Sequence, residues 1–163
     1  MRRFLLACLI LLLGALVILG WPADQTEEER GATQTITHPN GLALTFDERF
    51  SERYSVRQTQ AGYILDLKGH SRSVGKIEVR LEDGPGPGVP KSPKWGTVIV
   101  ESGANYWIEE ADGGSGGTER ELTVWQPCSD KHVLVTQHAQ AEWPADFDFR
   151  GAIQIHRKAR CPN

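Results

Sequence analysis

One pentapeptide in the chain matches a known pattern of catalytic serines. Residues Gly113–Gly117 fit Gly-x-Ser-x-Gly. In that motif the serine sits on a strained turn between a buried strand and a helix. Here the acidic residues Glu109, Glu110 and Asp112 come before the turn, and a strand-like run follows it. We therefore predict a flexible hairpin loop, with a hydrolase that uses Ser115 as the alternative.

The histidines and the other glycines provide no second catalytic motif. None of the histidines has metal-binding spacing, and His132 and His138 would lie about 20 Å apart on one strand face. The segment Asp83–Lys94 is rich in prolines, which lack the backbone N–H groups of a phosphate cradle. A Ser-His-Asp set stays open, because its members need not be close in sequence. We expect a protein that needs no cofactor or metal and is not an enzyme.

Composition narrows the class of protein further. The chain has 163 residues, of which 39% are hydrophobic and 24% are charged. These values fit one domain with a leader and exclude a protein with several membrane spans. The net charge of −3, from 18 Lys+Arg and 21 Asp+Glu, argues against binding to nucleic acid.

Acidic residues are concentrated between Glu101 and Glu121, where only one basic residue accompanies them. Trp107 lies in this stretch with Glu109, Glu110 and Asp112, and it would face outward if its two strand neighbours point into the core. An exposed tryptophan beside carboxylates suits recognition of a cationic protein. We therefore predict these four residues as a partner-binding site. The alternative is a solvated hairpin whose Trp107 covers a neighbouring strand or the underside of a loop.

The N-terminus has the character of an export signal. Arg2 and Arg3 precede an uncharged apolar run, Phe4–Leu19, whose length lies between those of a signal peptide and a spanning helix. We predict residues 1–23 as a hydrophobic helix acting as signal-anchor or signal peptide, 24–33 as an acidic linker, and 34–163 as an exported β-rich domain. The two arginines would stay in the cytoplasm. The expected location is the inner membrane, single-pass with the domain in the periplasm, or the periplasm itself after cleavage.

The cysteines agree with export. Outside the leader only Cys128 and Cys161 remain. An even pair in an oxidising compartment favours a disulfide. A zinc site would need more ligands than this pair supplies.

Most of the body alternates apolar and polar residues with the period of a β-strand. The alternating runs are Leu42–Phe46, Tyr63–Leu67, Ile77–Leu81, Val98–Val100, Tyr106–Ile108, Leu122–Val124 and Val133–Val135. Asn40-Gly41 is a strong hairpin signal. The tail Asp146–Arg160 fits either a strand or a helix, and its acidic start and basic end favour the helix. The predicted fold class is α+β, mainly β: an antiparallel sheet of about seven or eight strands with one C-terminal helix packed on it.

The first strands resemble a known family of small sheet domains. His38–Phe46, followed by a hairpin through Tyr63–Leu67, is similar to the start of PsbP/Mog1-like domains, which are antiparallel sheets flanked by helices. This resemblance implies an envelope assembly or chaperone-like binding protein, which would hold a client with its sheet or with the Asp83–Lys94 loop.

The C-terminal part resembles a different group. Cys128 with His132–Val135, then Asp146-Phe147 and the final Arg160-Cys161, is similar to the ending of small exported immunity proteins of type VI secretion systems. Such proteins sit at the inner membrane or in the periplasm and neutralise a toxin delivered by a rival cell. The leading expectation is therefore a membrane-tethered immunity protein whose partner is a secreted toxin.

Overall fold

The computed structural model describes residues 33–69, 75–94, 96–114 and 117–162. The predicted hydrophobic helix of residues 1–23 lies outside this part of the chain, as does the predicted linker up to residue 32. Within the described residues, no helix is long and apolar enough to cross a bilayer.

The described residues form two antiparallel sheets and two short α-helices. The larger sheet contains, in spatial order, β3 (Tyr54–Gln58), β4 (Gly62–Leu67), β5 (Lys76–Asp83), β9 (Lys131–Ala141), β8 (Thr118–Pro127), β7 (Tyr106–Asp112) and β6 (Thr97–Gly103). The smaller sheet contains β1 (Thr33–Thr37), β2 (Ala43–Asp47) and β10 (Ala159–Arg160). The helices are α1 (Glu48–Arg53) and α2 (Arg150–Lys158), and a 3₁₀ turn spans Pro144–Asp146.

The predicted mainly β fold with a C-terminal helix is confirmed. The prediction that all strands belong to one sheet is wrong, because the structure has two sheets. The first predicted strand, Leu42–Phe46, belongs to a separate three-stranded sheet. The short helix α1 follows this strand directly and leads the chain into the larger sheet. The predicted hairpin turn at Asn40-Gly41 is confirmed, and Gly41 has the positive φ of +91° that favours glycine there.

The two faces of the seven-stranded sheet have different environments. We call one the covered face: its apolar side chains, among them Leu65, Val79 and Val135, are fully buried in one core with residues of α2 and the small sheet. We call the other the open face: it carries Glu121 and His138, and on it the chain leaves charged side chains accessible. This division is typical of an antiparallel sheet with one solvated side.

Helix α2 closes the covered face, although it begins later than predicted. The acidic start predicted at Asp146 is a 3₁₀ turn, and α2 begins at Arg150. The acidic residue that stabilises the start of α2 is Asp148 and not Asp146, because Asp148 Oδ1 accepts a hydrogen bond of 3.0 Å from Arg150 N. The helix buries Ala152 and Ile155 completely.

Asp47 joins the two helices to the small sheet. Its Oδ1 accepts a hydrogen bond from Phe50 N at 2.9 Å, which caps α1, and its Oδ2 accepts from Lys158 Nζ at 3.2 Å on α2. These contacts, the Phe50 hydrogen bond first, hold the pKa of Asp47 below its usual range. Because Asp47 also pairs with Thr33 on β1, the chain enters the described fold beside α2, on the covered side of the large sheet.

The predicted pair Cys128 and Cys161 is joined in a disulfide, with 5.8 Å between the Cα atoms. Cys128 lies in the turn between β8 and β9, and Cys161 follows β10 at the end of α2. The bond therefore ties the C-terminal segment, which covers the core, to the central hairpin of the large sheet.

We expect loss of the disulfide to lower the free energy of unfolding by about 3 kcal/mol, because it closes a loop with a sequence separation of 33. The change is Cys128→Ser with Cys161→Ser, measured by urea unfolding of the full chain in detergent. Dithiothreitol should destabilise the wild type by a similar amount and leave the double variant unchanged. Equal stability of both proteins without reductant would contradict this expectation.

Candidate functional site

The four predicted partner-binding residues all lie on β7, but they do not form one surface. Trp107 and Glu109 are on the open face and are only 8% and 5% exposed. Glu110 has the opposite orientation, and its Oε2 lies 2.7 Å from Arg120 Nη2 on the neighbouring strand. Asp112 is exposed at the end of the strand. The expectation of an exposed Trp107 is wrong, because strand alternation predicts which face a side chain takes but not whether that face is covered.

Trp107 belongs to a second, smaller apolar cluster on the open face. Its ring packs edge-on against Trp125, with 5.5 Å between centroids, and Leu134 and Ile99 complete the contact. The segment after β5 covers this cluster. At Gly86 its backbone lies so close to the Trp125 indole that an added Cβ atom would collide with the ring. Trp107 therefore has the structural role of the alternative interpretation, a packing residue beneath a loop.

Glu109 is held in a charge cluster within the protein. It pairs directly with Glu121 across β7 and β8, so two like charges are neighbours on the open face. Lys94, at the end of the proline-rich segment, places its Nζ 3.8 Å from Glu109 Oε2 and 3.4 Å from Glu121 Oε1. A nearly buried carboxylate needs such a partner. The lysine thus compensates both acids, and Glu109 is not free to meet a ligand.

A charged groove of about 630 Å³ runs beside this cluster on the open face. Its lining is Gly75, Lys76, Glu78, Arg80, Lys94, Glu121, Thr136, His138, Ala139 and Gln140. Several of the charges in the groove are paired within the protein, such as Lys76 with Glu78 at 2.6 Å and Lys94 with Glu121 at 3.4 Å. The groove is open and is lined mainly by charged and polar residues, which suits contact with a protein surface more than enclosure of a small apolar ligand.

The possible catalytic and metal-binding features have no matching geometry in the described chain. Ser115 lies outside the described residues, but the flanking strands β7 and β8 pair directly, and no helix follows the turn. A nucleophile elbow requires that helix. Among the described residues, no three His, Cys, Asp or Glu side chains are grouped to hold a metal ion. His132 and His138 contact different acids, Glu82 and Glu119.

The most exposed large apolar side chain of the described residues was missed by sequence reasoning. Trp143 is 64% exposed in the connection between β9 and α2. Its immediate neighbour Glu142 and the nearby Asp146 are also exposed. The available signal was a tryptophan in a polar connection, Glu142-Trp143-Pro144, where the period-two pattern of β9 has ended.

Residues 52–160 match the family model of the type six secretion immunity 3 domain. The chain belongs to this family. It is also 31% identical over 132 residues to the immune protein Tsi3 of Pseudomonas aeruginosa strain PAO1, an alignment that covers 81% of this chain and 83% of that protein. The family match begins in α1 and includes the entire seven-stranded sheet, α2 and β10.

Family membership confirms the predicted type VI secretion immunity protein, and it favours this function over an envelope assembly factor. Proteins of this family act by binding a toxin and not as enzymes, so the prediction of a non-enzymatic protein is also confirmed. The PsbP/Mog1-like resemblance of the first strands stays a prediction.

We expect Trp107→Ala to lower the free energy of unfolding by about 3–5 kcal/mol, because it removes a buried indole from its contact with Trp125. Urea unfolding of the full chain in detergent measures the loss. Trp143→Ala is the matched control, because it deletes the same side chain from an exposed position and should change stability by less than about 0.5 kcal/mol. Equal effects of the two substitutions would contradict the assigned role of Trp107.

Proposed function

We propose that this immunity protein is held at the periplasmic side of the inner membrane by its N-terminal segment and neutralises a type VI toxin by covering part of the toxin surface. The observation that supports the neutralising role is membership of the immunity family.

The compartment is supported by two independent features. The sequence begins with Arg2 and Arg3 before an apolar run, the pattern of an exported or anchored protein. The fold contains a disulfide, Cys128–Cys161, which persists in the oxidising periplasm and is rare in the cytosol. A toxin delivered into the periplasm would meet an inhibitor that is already stable there.

The point at which the chain enters the fold is compatible with tethering and with binding at the same time. Thr33, the first described residue, pairs with Asp47 beside α2, on the covered side of the large sheet. The groove with Lys94 and His138 lies on the opposite side of that sheet. A membrane segment joined before Thr33 therefore leaves the open face accessible to a partner.

Binding is also consistent with the stiffness of the scaffold. The central strand β9 pairs along its length with both β5 and β8, and the disulfide fixes the segment that covers the core. A rigid surface loses little conformational freedom when it binds, so more of the contact energy contributes to affinity.

Deletion of the gene is expected to make cells sensitive to killing by siblings that carry an active type VI secretion system. Expression of the full chain should restore survival. Transposon mutants of the attacker that no longer kill the deletion strain would identify the toxin gene. Normal survival of the deletion strain against every armed attacker would contradict the proposed function.

The proposed location has a separate test. In spheroplasts, the full chain should fractionate with the inner membrane and be digested by added protease, because the domain would face the periplasm. A cytoplasmic protein must remain intact in the same sample as the control. Protection of the domain until the membrane is dissolved would contradict the periplasmic location and leave toxin binding untouched.

A further inference from the structure

Three exposed acidic residues, which we call the acidic rim, lie at the same end of the large sheet as the exposed Trp143. The rim consists of Glu142 and Asp146, on the same connection as Trp143, and Asp112 at the end of β7. Asp112 pairs with Thr118, and Thr118 pairs with Ala141, two residues before the tryptophan. The three carboxylates and the indole are therefore presented at the same end of the sheet.

The backbone around Trp143 is held in place on both sides. On the N-terminal side of Trp143, the backbone at Glu142 packs closely against Gly117 in the β7–β8 turn. A Cβ atom added to Gly117 would lie only 2.8 Å from Glu142 Cα. On the C-terminal side, the 3₁₀ turn forms and Trp143 O accepts a hydrogen bond of 3.0 Å from Asp146 N. The connection then reaches the sheet, where the Phe147 ring lies 4.8 Å from the Arg120 guanidinium. The indole is thus exposed on an ordered turn.

The charges of the rim are not neutralised within the described part of the protein. No lysine, arginine or histidine there forms an ion pair with Asp112, Glu142 or Asp146. The nearby cations have other partners: Arg120 pairs with Glu110 at 2.7 Å, and Arg150 pairs with Asp148 at 2.8 Å. The groove on the open face differs, because several of its charges already have partners.

We propose that Trp143 is the anchor with which this protein binds its toxin, and that the toxin meets it with an apolar pocket bordered by lysine or arginine side chains. This proposal rests on the proposed function and adds the surface and the chemistry of the partner. Tryptophan, together with tyrosine and arginine, is enriched among the residues that contribute most to binding at protein interfaces. The carboxylates around the indole complement a basic pocket rim and accelerate the encounter of the two proteins.

The acidic rim decides against two other occupants. An anionic lipid surface would be repelled by Glu142, Asp146 and Asp112, although an exposed tryptophan alone would suit a membrane interface. A second copy of the chain would bring two acidic rims together around the paired indoles, which is unfavourable for the same reason.

The test measures binding between the full chain in detergent micelles and the purified toxin that the attacker mutants identify. Trp143→Ala is expected to weaken the affinity about 30-fold or more, mainly through faster dissociation. Trp143→Phe keeps a ring at the anchor and should recover part of the loss. Val89→Ala is the matched control, because it removes an exposed apolar side chain, 37% accessible, from the segment over the open face.

The contribution of the acidic rim is tested separately, through the rates of association and dissociation. Glu142→Gln with Asp146→Asn should slow association several-fold at low salt and leave dissociation nearly unchanged, and added salt should reduce the difference from the wild type. Asp112 is left unchanged, because its Oδ1 accepts a hydrogen bond from Gly114 N at 2.8 Å in the adjacent turn.

Several outcomes would overturn the proposal. Toxin affinity within threefold of the wild type for Trp143→Ala, with survival of attacked cells unchanged, would reject the anchor and leave the proposed function intact. A change in tryptophan emission on adding lipid vesicles that Trp143→Ala abolishes, or a dimer in sedimentation that Trp143→Ala dissolves, would assign this surface to a membrane or a second copy. If the deletion strain is not sensitive to any attacker, the proposed function itself fails.

Discussion

The structure depends on removing one face of a seven-stranded sheet from water. Leu65, Val79 and Val135 on that face are completely buried, and they lie on the neighbouring strands β4, β5 and β9. The cover consists of α2 and the small sheet, in which β1 and β2 come from the N-terminal end of the described chain and β10, like α2, from its C-terminal end. Burial of apolar area is the main favourable contribution to folding, and here it requires that these distant segments meet over the same face.

The covalent and polar contacts follow from this requirement. The disulfide ties the end of the cover to the β8–β9 turn, and Asp47 links β2 and α1 to Lys158 of α2. A consequence is that the opposite face needs little further cover. The proline-rich segment covers the cluster around Trp107 and Trp125 and places Lys94 beside Glu109 and Glu121, and the rest of the open face carries accessible charge. A protein built in this way offers a rigid surface for binding, in agreement with its family.

Local pattern predicted the parts of the fold that depend on one strand at a time. The alternation of Ile77–Leu81 or Val133–Val135 correctly indicates strands with one buried face, and Cys128 and Cys161 were correctly paired. The split into two sheets was not predictable in the same way. The strand β10 has only two residues, and it exists because the disulfide and β2 hold it in place.

The exposure of the candidate binding residues was likewise not predictable from local sequence pattern. Trp107 and Trp143 both lie near acidic residues, and their neighbours indicate only that Trp107 is in a strand and Trp143 in a connection. Trp107 is buried because a distant segment, at Gly86, lies over its partner Trp125, whereas Trp143 is exposed in the connection between β9 and α2. Exposure of a side chain is decided by contacts between remote segments, which residue spacing does not report.

The central claim is that this protein neutralises its toxin by occupying it and not by changing it. Titration of the purified toxin's activity with the full chain in detergent tests this claim directly. We expect the toxin's activity to fall linearly to zero at a fixed stoichiometric ratio. The mass of the toxin should be unchanged, and its activity should return when the complex is denatured and the toxin is refolded alone. Inactivation of excess toxin by a small fraction of this protein, or a lasting covalent change in the toxin, would contradict it.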